Sequence, residues 1–157
     1  MRGASLGVVT DPGYYRRPSW FDRNIFNPAV AVATHAGLSV WGSRILEVRG
    51  RSSGVPRQVP VNVLALAGAR YLVAPRGETQ WVRNLRAAGE GELLLGRRRE
   101  RFRAEEVAVD DREPILRAYL RRWRWEVGRF FGGVGPDSSP DELRRIAVDH
   151  PVFRIES

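Results

Sequence analysis

From Arg44 to Ala74 the apolar residues recur at every second position, and the runs are punctuated by glycine turns. Leu46 and Val48 stand on one side of the first run with Glu47 and Arg49 on the other, up to Gly50. Val59, Val61, Val63 and Ala65 then alternate with Gln58, Pro60, Asn62 and Leu64, and Gly68-Ala69 turns the chain into Tyr71-Leu72-Val73-Ala74. A period of two sends successive side chains to opposite faces of a strand, and turns this short join antiparallel neighbours. This stretch therefore predicts a meander of strands and excludes a helical bundle.

The rest of the chain extends that sheet. Leu93-Leu94-Leu95 and Phe102 to Val109 read as a second hairpin across Gly96-Arg97-Arg98-Arg99, with a bulge expected where the phase is lost at Glu105-Glu106. Val152-Phe153-Arg154-Ile155 reads as a closing strand. Helices are expected between and around the strands. Asn27-Pro28 offers a cap and a first-turn proline ahead of Ala29 to Ser39, and Thr79 caps a helix through Trp81, Leu85 and Ala88 that Gly89 stops. Asp111 and Pro114 start a longer helix whose Leu116, Tyr119 or Leu120, Trp123 and Val127 recur at three and four, with Arg117, Arg121 and Arg124 on its other side. Ser139-Pro140-Asp141-Glu142 has the capping-box pattern of a last helix. Strands outnumber helices, so the fold class is mainly β within α+β: a small antiparallel barrel of about six strands with peripheral helices. At 157 residues the chain, 1–157, is expected to form a single domain, preceded within it by a flexible arm over 1–24.

Charge and cysteine usage narrow the chemistry. The formal net charge is +8, and all 26 basic residues are Arg. Arginine forks pair with any phosphate or carboxylate, so the excess points to anionic partners without specifying nucleic acid. Cysteine is absent, which excludes disulfides, thiolate metal sites and cysteine nucleophiles. The start of the chain lacks an apolar stretch of signal-peptide length and Ala29 to Val40 is too short to span a bilayer, so a cytoplasmic protein is expected.

Gly50-Arg51-Ser52-Ser53-Gly54-Val55-Pro56-Arg57 carries the strongest chemical signal. A glycine-bounded turn exposes backbone N–H groups, Ser52 and Ser53 add hydroxyls, and Arg51 and Arg57 add charge-assisted forks. Two readings stay open for the loop alone, an oxyanion site and a decorated hairpin turn. Its spacing matches neither a Walker loop nor a Gly-x-Gly-x-x-Gly fingerprint. Further on, Arg76 leaves a strand end, Gly77 permits a tight bend, and Trp81 and Asn84 are three residues apart on one helix, where an aromatic and an amide facing the same way would seat a planar ring.

These segments together resemble the deazaflavin-dependent nitroreductase family, also called the quinone reductase family. The resemblance rests on Asn27-Pro28, Gly50-Arg51-x-Ser53-Gly54-x-Pro56-Arg57 with Pro60, Ala74-x-Arg76-Gly77, and Trp81-x-x-Asn84-Leu85, and more weakly on His150-Pro151-Val152-Phe153. It implies a split β-barrel binding coenzyme F-420, an 8-hydroxy-5-deazaflavin with a phospholactyl-polyglutamate tail; FMN is the alternative. It further implies that Arg51, Ser52, Ser53, Gly54 and Arg57 hold the phosphate, that Arg76 with Pro75 and Gly77 adds a basic contact, and that Pro60, Ala74, Trp81 and Asn84 lie near the ring. Pro75 stands where members of the family often carry Ser, and the stretch from Gly77 to Trp81 is shorter than in many relatives. The implied reaction is hydride transfer to a small electrophilic acceptor such as a quinone, nitro compound or activated alkene, with a proton from water or a side chain.

Tyr119 is the phenol considered as that proton donor, and Trp20, Phe21 and Trp123 are candidates for a substrate wall. Tyr119 and Trp123 also fit the buried stripe of a helix. His35 and His150 lack carboxylate partners at ligand spacing, so no metal is expected. Competing classes are a non-enzymatic ligand carrier and a nucleic-acid binder using Arg97 to Arg103 with Trp123-Arg124-Trp125. Glu100, Glu105 and Glu106 interrupt that basic tract, so nucleic acid is not the expected partner. Peripheral membrane contact is compatible with the composition, and a monomer and a homodimer both remain open.

Overall fold

A computed structural model describes residues 42–157. The predicted arm, the helix after Pro28, and Trp20, Phe21 and His35 lie outside the described residues. Six strands, β1 (Ser43–Arg49), β2 (Pro56–Leu66), β3 (Ala69–Val73), β4 (Glu90–Leu95), β5 (Arg98–Glu106) and β6 (Val152–Glu156), close into an antiparallel barrel in the order β1-β2-β3-β6-β5-β4. Among the described residues three α-helices accompany it: α1 (Gln80–Ala88), α2 (Glu113–Val127) and α3 (Pro140–Ala147). The mainly β, α+β barrel read from the sequence is the architecture observed.

Alternation builds two apolar layers. Leu46, Val48, Val59, Leu72, Leu93, Phe102, Phe153 and Ile155 form one cluster, so every strand contributes, and α1 sends Val82 and Leu85 into it. The opposite side of β2 and β3 also carries apolar residues, because α2 and α3 cover it: Leu64 and Val73 pack with Leu116, Leu120, Trp123, Val127, Leu143 and Ala147. Leu64 is therefore core although it is out of phase with Val59, Val61 and Val63. Every member of the predicted α2 stripe, including both Tyr119 and Leu120, is buried. The α2 backbone leaves helical geometry at Trp123, with φ −124° and ψ 18°.

Two local expectations are corrected. The β2–β3 turn is Ala67-Gly68 rather than Gly68-Ala69, since Leu66 pairs with Ala69 and both loop residues have positive φ, 51° and 81°. Such a two-residue loop matches the strand twist and needs left-handed backbone at both positions. The expected bulge at Glu105-Glu106 is absent: β5 continues against β6 in unbroken register, Glu105 opposite Arg154 and Glu106 opposite Phe153. Glu106 falls where an apolar residue would be expected because it meets cations there, taking hydrogen bonds from Arg86 at 2.6 Å and from the nearly inaccessible Arg112 at 3.1 Å. Ser139 caps α3 as predicted, with the reciprocal Glu142 bond also made.

Candidate anion and cofactor site

The loop between β1 and β2 is held by its own backbone and by α1. Gly50 N–H donates to Val55 O and Gly54 N–H to Gly50 O, each at 2.9 Å. A Cβ at Gly50 would sit 2.8 Å from Ser53 Oγ and 3.3 Å from Val55 O, so a larger residue there would displace the Ser53 side chain. Ser53 Oγ accepts from Val55 N–H at 3.1 Å. The anchor is Asn84 on α1: its Oδ1 accepts from Arg51 N–H at 3.1 Å and from the Arg51 guanidinium at 2.8 Å. The same guanidinium donates to Gln80 Oε1 at 2.9 Å. Asn84 is only 4% exposed, whereas Arg51, Ser52, Ser53 and Gly54 are all exposed and Arg57 partly so. The loop thus turns hydroxyls, amides and guanidinium groups to solvent while its root is fixed in the core.

The second segment lies at the other end of α1. Ala74 is 1% exposed in the barrel cluster, and its N–H donates to Pro151 O at 2.9 Å. Gly77, at φ +82°, folds back beneath Arg76 with a Cβ position only 2.9 Å from Asp149 O. Thr79 occupies the N-cap position of α1 as predicted, yet its side chain makes no cap bond, and the first turn of α1 carries no acidic residue. The Thr79 hydroxyl is a buried oxygen without a hydrogen-bond partner. A buried polar atom without a protein partner is one that an ordered water, an ion or a ligand can satisfy. His150 braces the segment: its Nδ1 lies 3.2 Å from Ala74 O, its ring stacks on Phe131 at 4.2 Å, and burial holds its pKa below the ordinary value.

The two segments meet through α1, but the remaining expected positions separate. Trp81 and Asn84 diverge: Trp81 packs against Phe153 with ring centroids 6.2 Å apart, while Asn84 is engaged by Arg51. Pro60 lies opposite Ile45, on the face of β2 away from Ala74 and Val61. Pro75 is part-buried between Ala74 and the exposed Arg76. Tyr119 and Trp123 are 2% and 0% exposed and pack against each other with ring centroids 5.0 Å apart and planes tilted by 49°. The Tyr119 hydroxyl bonds to Asn62, burial raises its pKa, and Asn62 Nδ2 donates to Glu126 Oε1 at 3.0 Å. Burial likewise raises the pKa of Glu126. Among the described residues no cluster of His, Asp and Glu has the arrangement of a metal site.

The chemistry of the donors defines the ligand they suit. Arg51, Ser52, Ser53 and Arg57 are hydrogen-bond donors on the β1–β2 loop and Arg76 is one before the start of α1, a donor set that suits a cofactor carrying a phosphate and a polar ring edge. Arg129, which sequence reading did not single out, joins this region: its guanidinium carbon lies 5.1 Å from the Phe130 centroid, and that of Arg76 lies 6.0 Å from the same ring. No local motif announces Arg129, because the packing of Phe131 on His150 brings it there.

Comparison with known proteins gives the family and the fold. Residues 33–125, more than half of the chain, match the F420H2-dependent quinone reductase family. No curated protein matches the chain. Among solved structures, an F420-H2 dependent reductase (FDR-A) superposes with TM-score 0.52 at 19% identity, covering 73% of this chain and 94% of that one. A structure described as a domain-swapped dimer gives TM-score 0.53 at 18% identity, with 93% and 100% covered. A conserved hypothetical protein from Mycobacterium tuberculosis gives 0.50 at 18%, with 85% and 82% covered. At these identities the structural likeness establishes the split-barrel fold, while the family match spans the Gly50–Arg57 loop, the Arg76 turn and α1. The chain belongs to the F420H2-dependent quinone reductase family, and so is an oxidoreductase with coenzyme F-420 as its cofactor.

Proposed function

We propose that this reductase passes a hydride to a small electrophilic organic acceptor of the quinone, nitro or activated-alkene class, and that the Gly50–Arg57 loop carries the cofactor phosphate. The single observation behind the site assignment is the pinning of Arg51 to Asn84, which fixes a solvent-facing set of donors on a helix rooted in the barrel. When bound, the reduced deazaflavin supplies two electrons as hydride. The chain's own work is binding and orientation. Arg51, Ser52, Ser53 and Arg57 fix the phosphate, and Arg76 and the Thr79 hydroxyl receive polar groups at the start of α1. Holding donor and acceptor in contact geometry is the main source of acceleration available to a site without a protein nucleophile. Solvent is the proton source in this reading, because the Tyr119 hydroxyl is sealed in the core and already bonded to Asn62.

The test is a titration of the purified protein with F-420 and FMN, followed by oxidation of the reduced deazaflavin against a panel of quinones, nitroaromatics and enoates. Tight FMN binding without F-420 binding would overturn the cofactor placement, and turnover with no member of the panel would overturn the acceptor class. Two further readings belong with this one. Trp125 is 71% exposed on α2 beside the exposed Arg121, Arg122 and Arg124, a composition suited to peripheral contact with an anionic lipid surface. Trp123 is buried, so the arginines do not alternate with accessible stacking rings as a single-strand binder requires. Cosedimentation with anionic and neutral vesicles tests this, and equal recovery with both would refute it. Pairing of two copies is the assembly proposed, and a monomeric mass by light scattering would refute that.

A further inference from the structure

We propose that Glu126 is the general acid of the reaction, handing a solvent-derived proton to the acceptor's oxygen as hydride arrives, and that Asn62 positions it. The inference rests on the hydride-transfer reading for its reaction and on residues outside the Gly50–Arg57 loop for its geometry.

Glu126 is an exception among the acids of an arginine-rich chain. The other part-buried carboxylates among the described residues, Glu47, Glu92, Glu100, Glu106 and Glu113, are each ion-paired to an arginine. Glu126, half-buried near the end of α2, makes no ion pair among the described residues, and its Oε1 instead accepts from Asn62 Nδ2 at 3.0 Å. The surrounding cations are directed elsewhere. Arg122, one turn earlier, lies over the Trp123 ring at 4.8 Å, and Arg124 extends along Gly128 and Gly135. Arg129 lies over Phe130 at 5.1 Å, and Arg76 approaches the same ring from the end of β3. The remaining titratable neighbour is Tyr119, whose hydroxyl shares the Asn62 side chain and is held protonated by burial. Burial therefore raises the Glu126 pKa, opposed by the Asn62 bond alone. A carboxyl group in this setting keeps its proton to higher pH than a surface acid and can donate it.

Strand register places this acid at the working end of the barrel. Asn62 shares the outer face of β2 with Pro60, two residues earlier. Val63 pairs with Leu72, so Asn62 is level with Val73, where β3 ends just before Pro75 and Arg76. One turn beyond Glu126, Phe130 reaches the Arg76 guanidinium at 6.0 Å. Glu126 thus stands between the outer face of β2 and the Arg76 turn. Tyr119, bonded to the same amide, is 2% exposed, so Glu126 is the member of this polar trio that an acceptor can reach.

The step balances with what the established reaction supplies. Hydride adds to the acceptor, a carbon–hydrogen bond forms, and the π electrons of a quinone or enone move to its oxygen. The Glu126 O–H bond breaks as an acceptor O–H bond forms, and the carboxylate left behind recovers a proton from solvent.

Two measurements test the assignment. In the ligand-free protein, an infrared pH titration should show a carboxylic-acid C=O band that persists after the surface acids have ionised and is missing in Glu126→Gln; no such band in the wild type would overturn the proposal. In single turnovers of reduced F-420 with a quinone, Glu126→Gln should slow the reaction about a hundredfold, the lower end of what a positioned acid contributes. The wild-type rate should fall as pH rises through the Glu126 pKa, and Glu126→Gln should lose that limb while its affinity for oxidised F-420, read by fluorescence, is unchanged. Asn62→Ala should move the limb to higher pH, because the amide stabilises the charged form. A Glu126→Gln rate close to wild type, or a slow one that keeps the same limb, means that Glu126 is structural and the assignment is wrong while the cofactor reading stands. If wild-type protein neither binds F-420 nor reduces an acceptor, the hydride-transfer reading fails and takes the general acid with it.

Discussion

Replacing Asn84 by alanine separates the Gly50–Arg57 loop from its support without touching a group proposed to face the cofactor. The substitution removes two hydrogen bonds, one from the Arg51 backbone at 3.1 Å and one from its guanidinium at 2.8 Å. A neutral bond contributes about 1 kcal/mol and a charge-assisted one about 1.5–3, discounted here because Arg51 is exposed. The sum is about 2 kcal/mol, and at 1.4 kcal/mol per decade it corresponds to about a thirtyfold rise in the Kd for F-420 if the whole of it fixes the loop. The double mutant Arg51→Ala/Asn84→Ala apportions it. The guanidinium bond appears as coupling of about 1–1.5 kcal/mol, while the backbone bond survives Arg51→Ala and so contributes nothing to the cycle. The assay is quenching of cofactor fluorescence on all four proteins, with melting curves as a folding control. An Asn84→Ala protein within twofold of wild-type affinity, or strict additivity in the cycle, would refute the claim that α1 holds the loop.

Four shorter expectations follow from the same geometry. Gly77→Ala places a Cβ 2.9 Å from Asp149 O at a φ of +82°, and is expected to cost about 1–3 kcal/mol in chemical denaturation, clearly more than Gly89→Ala, whose Cβ meets nothing within 4 Å. Arg112→Met strands Val107 O and Ala147 O, which its guanidinium serves at 2.9 and 2.8 Å, and is expected to lose at least about 3 kcal/mol; a loss under 1 would contradict the structure. His150 is neutral in the fold because burial lowers its pKa, whereas an unfolded His takes up a proton near pH 6.5; stability should therefore fall as pH drops below about 6.5, down to the folded pKa, and His150→Phe should flatten that part of the urea-midpoint profile. Thr79→Val should leave the ligand-free melting temperature unchanged or raised, since the hydroxyl has no partner, yet weaken F-420 binding; lower stability with unaltered affinity would show that the hydroxyl is structural.

The strands were legible because each hairpin encodes itself locally, through period-two alternation and glycine at the reversals. Leu64 was placed in the right strand, but not in a second core, since the covering helix α2 lies some fifty residues downstream and nothing near Leu64 reports it. Glu106 broke the alternation for the same kind of reason: its cations, Arg86 and Arg112, come from other elements, so a local rule read it as a bulge. The Gly50–Arg57 loop was visible as composition, and its position next to α1 was not. A three-residue spacing suggested that Trp81 and Asn84 act together, yet it leaves them far enough apart around the helix for one to enter the barrel and the other to meet Arg51. Arg129 was silent because its place depends on a stack between Phe131 and His150.

The position of β6 has a consequence for folding and handling. It pairs with β3 through Leu72 and Phe153, the most distant strand pairing in the barrel, and with β5 through Glu105 and Arg154, a separation matched only by the β1–β4 pair Ile45 and Leu94. Such distant pairings carry the largest loop-closure cost and form late. Until β6 docks, β3 and β5 are two open edges of one sheet, each with a free row of amides and carbonyls able to recruit a second molecule. Destabilising β6 should therefore promote intermolecular strand exchange and aggregation before it alters the hairpins themselves.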